Sequence, residues 1–148
     1  MDIEGVRMSL RRAPLFRELS DASLTSIAES ARLQVFQPET TVYEQGAAAT
    51  ELYVLVEGEV SLRQTASSGA ARELERRRPP DVFGEAAIWD EEPRMVTAYA
   101  TKPTSVLVIQ REAMESLLGP ESRFVKGILA YIAGVLRRAN ERMRQLNP

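Results

Sequence analysis

Histidine and cysteine are both absent from the 148 residues of this chain. Their joint absence removes several chemistries at once. No disulfide, thiolate zinc site or thiol nucleophile can be built, and neither can a Ser-His-Asp triad or an imidazole metal site. Catalysis is therefore not expected, and no metal or cofactor is called for. Charge of one sign is lacking too: 19 basic against 21 acidic residues leave a formal charge of −2. No global positive field draws such a chain to DNA, RNA or an anionic membrane. Long apolar runs are also missing. Positions 1–20 hold no signal-peptide core, and nothing approaches the ~20 apolar residues of a membrane span. The expectation is a cytoplasmic chain with neither DNA nor membrane as partner.

What is present has the balance of a globular domain, with 44% hydrophobic and 27% charged residues, and a chain of 148 residues has room for one core rather than two. Positions 1–31 read as two short helices separated by Pro14. Ser20 and Asp21 suit the N-cap of the second, whose Leu24, Ile27 and Ala28 keep helical spacing. From Leu33 the period changes to that of strands. Leu33, Val35 and Val42 lie in short β-branched runs broken by Pro38 and Gly46. Two apolar runs, Leu52 to Val56 and Val60 to Leu62, flank Glu57-Gly58, a tight-hairpin signal because glycine accepts a positive φ. A looser tip follows at 65–71, then a polar edge strand ended by Pro79-Pro80, then a pair at 97–101 and 106–109. Six to eight short strands at this spacing predict a sandwich or barrel. Helical period returns at 111–118, stops at Gly119-Pro120, and resumes over 121–146. The expectation is one α+β domain over 1–148: helices at 1–31, strands at 32–110, helices at 111–146.

Chemistry concentrates in the segment 82–98. Gly84 in a sharp bend lets backbone N–H groups approach a ligand. Glu85-Ala86-Ala87-Ile88 favours a short helical turn with free N-terminal amides. Pro93 then leads into Arg94, the side chain suited to forked bonding with phosphate oxygens. Glu85 can accept hydrogen bonds from a sugar hydroxyl. Amides, one guanidinium and one carboxylate make a complementary set for a singly charged ribose phosphate.

The run Phe83-Gly84-Glu85-x-Ala87-aliphatic, with Pro93-Arg94 closing it nine positions after Glu85, resembles the phosphate-binding cassette of the cyclic nucleotide-binding domain family. That family includes the bacterial catabolite activator, regulatory subunits of the cAMP-dependent kinase and cyclic-nucleotide-gated channels. Pro14-Leu15-Phe16 with Leu19 is similar to the family's helical entry. Tyr43 to Gly46, and Leu52 through Val60 with Gly58, are similar to its early strands. The resemblance implies an antiparallel β-barrel of jelly-roll, double-stranded β-helix type, flanked by N-terminal helices and a long C-terminal helix. It implies that Arg94 clamps a cyclic phosphate and Glu85 holds the ribose 2′-hydroxyl. Phe83, Gly84, Ala86 and Ala87 would lie along the ligand, with Met95 and Val96 in the pocket wall. Departures stand at Pro80, Met95 and Val96, where the family often carries Gly, a small or hydroxylated residue, and Ala. Lacking a hydroxyl, Met95 favours cAMP over cGMP, although cGMP stays possible as ligand. Trp89 is read as a packing residue, and Glu91 and Glu92 as solvated loop charges.

The last helix carries two apolar stripes. Val125, Ile132, Ala139 and Leu146 recur every seven residues with Ile128 and Val135 between them, and Leu129, Leu136 and Met143 form the second. One stripe can cover the barrel while the other pairs in a homodimer; the alternative is a helix folded wholly on its own barrel. Asn140 falls where the family places a base-capping residue, and solvent exposure is its alternative. The arginines at 137, 138, 142 and 144 are read as a solvated face. The expected function is a cyclic-nucleotide sensor module, without a helix-turn-helix domain, signalling to an unknown effector protein through this helix. The alternative is a dimerisation or docking scaffold that binds no ligand.

Overall fold

The computed structural model describes residues 1–146, and for Ala87 and residues 120–124 the backbone alone. Helices α1 (Ile3–Arg12) and α2 (Asp21–Ser30) are joined through a 3₁₀ turn, Pro14–Phe16. Eight strands follow, β1 (Arg32–Phe36), β2 (Thr40–Tyr43), β3 (Glu51–Glu57), β4 (Val60–Thr65), β5 (Ala71–Arg77), β6 (Val82–Phe83), β7 (Thr97–Ala100) and β8 (Thr104–Gln110), with α3 (Ala86–Asp90) inserted after β6. Helix α4 (Arg111–Glu115), a 3₁₀ segment and α5 (Ser122–Leu146) close the chain. The expected cap of α2 is present, Ser20 Oγ accepting from Ser23 N at 3.2 Å, and α1 has its own in Asp2 Oδ1, which accepts from Gly5 N at 2.8 Å.

The strands form two four-stranded antiparallel sheets, ordered β1-β8-β3-β6 and β2-β7-β4-β5. The expected jelly-roll class holds, but the sheets do not close into a barrel: β1, β2, β5 and β6 are edges, each paired on one side only. Closure depends on pairing between distant segments, which the spacing of apolar residues does not encode. The first sheet explains why β3 and β8 are apolar on successive residues. Leu52, Val54, Leu107 and Ile109 point into a core shared with α1 and α2, while Tyr53, Leu55, Val106 and Val108 point into a second core against Val60, Leu62 and Ala98 of the other sheet. Both faces of this sheet are therefore covered, one by helices and one by strands.

Two features follow from position in the sheet. Leu33 and Val35 lie on β1, an edge strand, and their alternation points outward, leaving them 46% and 59% exposed. Gly58, at φ +98°, is where the β3–β4 turn meets β8: a Cβ there would stand 2.5 Å from Pro103 O. The hairpin turn thus requires glycine for its dihedral and for lack of space.

Candidate functional site

Segment 82–98 is pinned at both ends by backbone hydrogen bonds. At its start, β6 pairs with the middle of β3, Tyr53 opposite Phe83 and Val54 opposite Val82. At its end, Arg94 N donates to Ala47 O and Gly46 N donates to Arg94 O, both at 2.8 Å. Between them Gly84 turns at φ +79°, and α3 runs as one short helical stretch whose side chain Ile88 is buried in the helix-side core. Trp89 packs at the edge of the same core, as expected. Glu91 caps α3 at φ +56° and is exposed, with Arg111 Nη1 3.8 Å away.

Within this frame a cavity of about 200 Å³ opens between the second sheet and α5. Gly84, Glu85, Ala86, Arg94, Met95, Val96 and Asn140 all line it, so the structure brings together seven of the residues singled out in the sequence. Phe83 does not line it. Its ring is fully buried and stacked on Tyr53, with centroids 4.9 Å apart, because the pleat of β6 aims it between the sheets. Ala87 falls outside the residues whose side chains are described.

Arg94 is the centre of the cavity's electrostatics. It is 4% exposed, yet no carboxylate among the described residues lies within ion-pair distance of it. Its Nη1 donates to Gly84 O at 2.7 Å and Nη2 to Glu51 O at 2.5 Å, while the buried Nε has no partner. Gly84 makes room for it: a Cβ there would stand 2.8 Å from Arg94 Nη1. Glu85, in contrast, is engaged. Arg77 Nη1 donates to its two carboxylate oxygens at 3.1 and 3.3 Å and to Val82 O at 2.8 Å, and Arg77 also pairs with Glu75. Burial acts to lower the Arg77 pKa, but the two carboxylates outweigh it and hold the group firmly protonated.

Several lining residues were not foreseen. Tyr43, Leu62, Leu74, Glu75 and Arg77 complete the wall. Leu74 and Arg77 belong to β5, whose sequence is polar on both faces and so gave no inward signal. Tyr43 lies beneath Arg94, with the guanidinium carbon 4.1 Å from the ring centroid. Burial pushes its phenol up to about 12, against the opposing pull of Arg94, so the hydroxyl stays neutral.

Helix α5 roofs the cavity through polar contacts. Asn140 Nδ2 donates to Met95 Sδ at 3.6 Å. Arg137 grips the end of α3, Nε to Asp90 Oδ2 at 2.9 Å and Nη2 to Oδ1 at 3.2 Å, and its Nη1 donates to Pro93 O at 2.6 Å. Arg144 donates to Thr65 O and pairs with Glu141. The expected solvated arginine face is thus corrected for Arg137, which fastens the helix to the end of α3 and the loop after it, and for Arg144, which fastens it to the end of β4. Within the helix only Ala133 is deeply buried among the described side chains, and Ile128, Ile132, Val135, Leu136 and Leu146 are 45–73% exposed. The half-buried positions of the helix mix the apolar Val125, Leu129 and Ala130 with Lys126, Arg137, Asn140 and Arg144.

Comparison with known proteins adds the family. A family model, the cyclic nucleotide-binding domain, matches residues 33–120. Over 137 residues the chain is 26% identical to a CRP-like cAMP-activated global transcriptional regulator of Mycobacterium tuberculosis, covering 93% of this chain and 61% of the relative. It is 28% identical over 111 residues to a cAMP-dependent protein kinase regulatory subunit of Yarrowia lipolytica, covering 75% of this chain and 29% of that one. Among solved structures, the N-terminal domain of a transcriptional regulator from Streptomyces coelicolor superposes with TM-score 0.66 at 27% identity, covering 91% of this chain and 94% of that domain. The chain therefore spans less than two thirds of the length of the two curated relatives.

Proposed function

The chain belongs to the cyclic nucleotide-binding domain family, and from that premise we propose that it is a sensor module that captures cAMP in preference to cGMP. The observation that carries this reading is Arg94: a buried guanidinium facing a cavity, with no carboxylate among the described residues within ion-pair distance. Isolated buried charge is costly, and a cyclic phosphodiester supplies one negative charge where it is lacking. Glu85, oriented by Arg77, offers acceptor oxygens to a ribose hydroxyl, and Gly84 and Ala86 allow the backbone close approach. Met95 stands where a hydroxyl would bond guanine, and it has none. Asn140 reaches the same cavity from α5 and presents an amide to a base edge.

The exposed apolar face of α5, Ile128, Ile132, Val135 and Leu146 at helical repeat, supports a parallel homodimer. Ligand shifts α5 by binding its two arrangements with different affinity, and the effector reads that shift. A monomer mass by light scattering across micromolar concentrations would remove the dimer from this scheme.

A second reading, a ligand-free scaffold, is favoured by the Met95–Asn140 contact and by a cavity of about 200 Å³, below the roughly 300–1,000 Å³ of usual ligand pockets. Calorimetric titration with cAMP and cGMP separates the two. Replacing Arg94 by Ala is expected to weaken cAMP binding by ~30-fold to several thousand-fold, corresponding to ~2–5 kcal/mol for a desolvated charge partner. Equal binding by parent and variant would place the ligand elsewhere.

A further inference from the structure

We infer that Tyr43 is a positioning residue for ligand capture, its ring holding the Arg94 guanidinium in the attitude that receives the anion. The inference rests on the reading of the cavity as a cyclic-nucleotide site. Three observations carry it. The Arg94 guanidinium lies 4.1 Å from the Tyr43 centroid, over the ring, and only 5.8 Å from that of Tyr53, so Tyr43 is the nearer support. Tyr43 itself is braced from behind, stacked at 5.8 Å on Tyr53 and at 6.1 Å on Phe83, which in turn stack on each other. And Tyr43 lines the cavity, whereas Tyr53 and Phe83 do not.

The physical argument concerns a charge with no carboxylate partner among the described residues. A guanidinium on the face of an aromatic ring is attracted by the ring quadrupole, and more strongly once water is removed. That attraction partly offsets burial of the cation while leaving its edge N–H groups available. A carboxylate in the same place would neutralise the arginine and compete with any incoming phosphate. The aromatic support therefore holds the charge without satisfying it. Two carbonyls, of Gly84 and Glu51, fix the guanidinium in rotation, and the ring fixes its height. A phenol is neutral across the physiological range at its ordinary 10.0 already, and burial pushes Tyr43 up to about 12, so no negative charge appears beneath the arginine.

The experiment compares the parent with Tyr43→Phe and Tyr43→Leu, reading the cAMP dissociation constant by calorimetry and the melting temperature without ligand. Tyr43→Leu is expected to weaken cAMP binding by about 3- to 30-fold, the range of a partly desolvated cation–π contact. Tyr43→Phe, which keeps the ring, is expected to stay within about 3-fold of the parent. If Tyr43→Leu melts below the titration temperature, Tyr43→Ile, a strand former without a π face, replaces it. Equal affinity in all three proteins overturns the inference and leaves the nucleotide site standing. Equal loss in Phe and Leu variants overturns it as well, since the hydroxyl and not the ring would then matter. A parent that gives no heat with cAMP, while remaining folded, overturns the sensor reading and this inference with it.

Discussion

Among the described residues two charged ones, Glu59 and Arg94, are buried, and the molecule treats them in opposite ways. Glu59, 1% exposed at the start of the β4 hairpin, is surrounded by partners: Arg76 at 2.9 Å, Arg78 at 2.7 Å and Thr101 Oγ1 at 2.6 Å. The Thr101 hydroxyl, then Arg78 and Lys102, hold its carboxyl below the ordinary value of 4.5 against the opposing effect of burial. Arg94 is 4% exposed and receives two carbonyls and an aromatic face, but no carboxylate among the described residues. The first charge is closed within the chain and ties β4, β5 and β7 together. The second is left open toward a cavity. A buried charge that its own fold completes reads as architecture, and one that the fold leaves incomplete reads as a place for a ligand.

Three substitutions sharpen or break that contrast. The largest effect is expected at Glu59. Glu59→Gln leaves Arg78 without its carboxylate and Arg76 with Glu73 alone, and its melting temperature at neutral pH should fall further than that of either variant below. The pH response should change as well. A carboxyl depressed in the folded state stabilises the protein above about pH 4.5 and loses that contribution as pH falls through its folded value. The parent should therefore lose stability on acidification below about pH 4.5 more steeply than the Gln variant. Parallel acid profiles would show that Glu59 is not the closed charge described here.

An intermediate effect is expected for Gly84→Ala, at φ +79° with its Cβ 2.8 Å from Arg94 Nη1. Left-handed backbone alone costs about 1–2 kcal/mol for a residue with a Cβ, and the methyl also displaces the guanidinium. Both the denaturation midpoint and the affinity for cAMP should fall. The smallest stability change is expected for Arg94→Met. Removing a buried charge that no described carboxylate neutralises relieves its desolvation cost, which offsets the two carbonyl bonds lost, so chemical denaturation without ligand should give a value within about 1 kcal/mol of the parent or above it. A loss as large as that of Glu59→Gln would mean that Arg94 serves the fold rather than a ligand.

How far the sequence reveals these features depends on the range of the interaction that makes them. The Glu57-Gly58 turn, the Ser20 cap and the break at Gly119 are local, and each stands where residue type alone puts it. The spacing of Glu85 and Arg94 is also legible, since one short segment carries both. What stays hidden is set by pairing across the chain. Arg77 reaches Glu85 from a different strand, Tyr43 reaches Arg94 across fifty-odd positions of chain, and Arg137 finds Asp90 from the far helix. Phe83 illustrates a finer limit: its place in the segment is evident, but the side of the strand it faces is decided by its pairing with Tyr53. Leu33 and Val35 show the same thing on an edge, where period two is plain and its direction is not.

The glycine break before α5 has a mechanical corollary. Gly119 takes φ +68° and ψ −156°, so the last helix is not a continuation of α4 but a separate rod. Its 25 residues span about 37 Å, and a tilt of roughly 10° about the near end would carry the far end some 6 Å, on the order of a helix turn. Arg144 ties that far end to Thr65, where the lever arm is longest. A bond so placed resists torque out of proportion to its strength, and its release would be felt most at the tip.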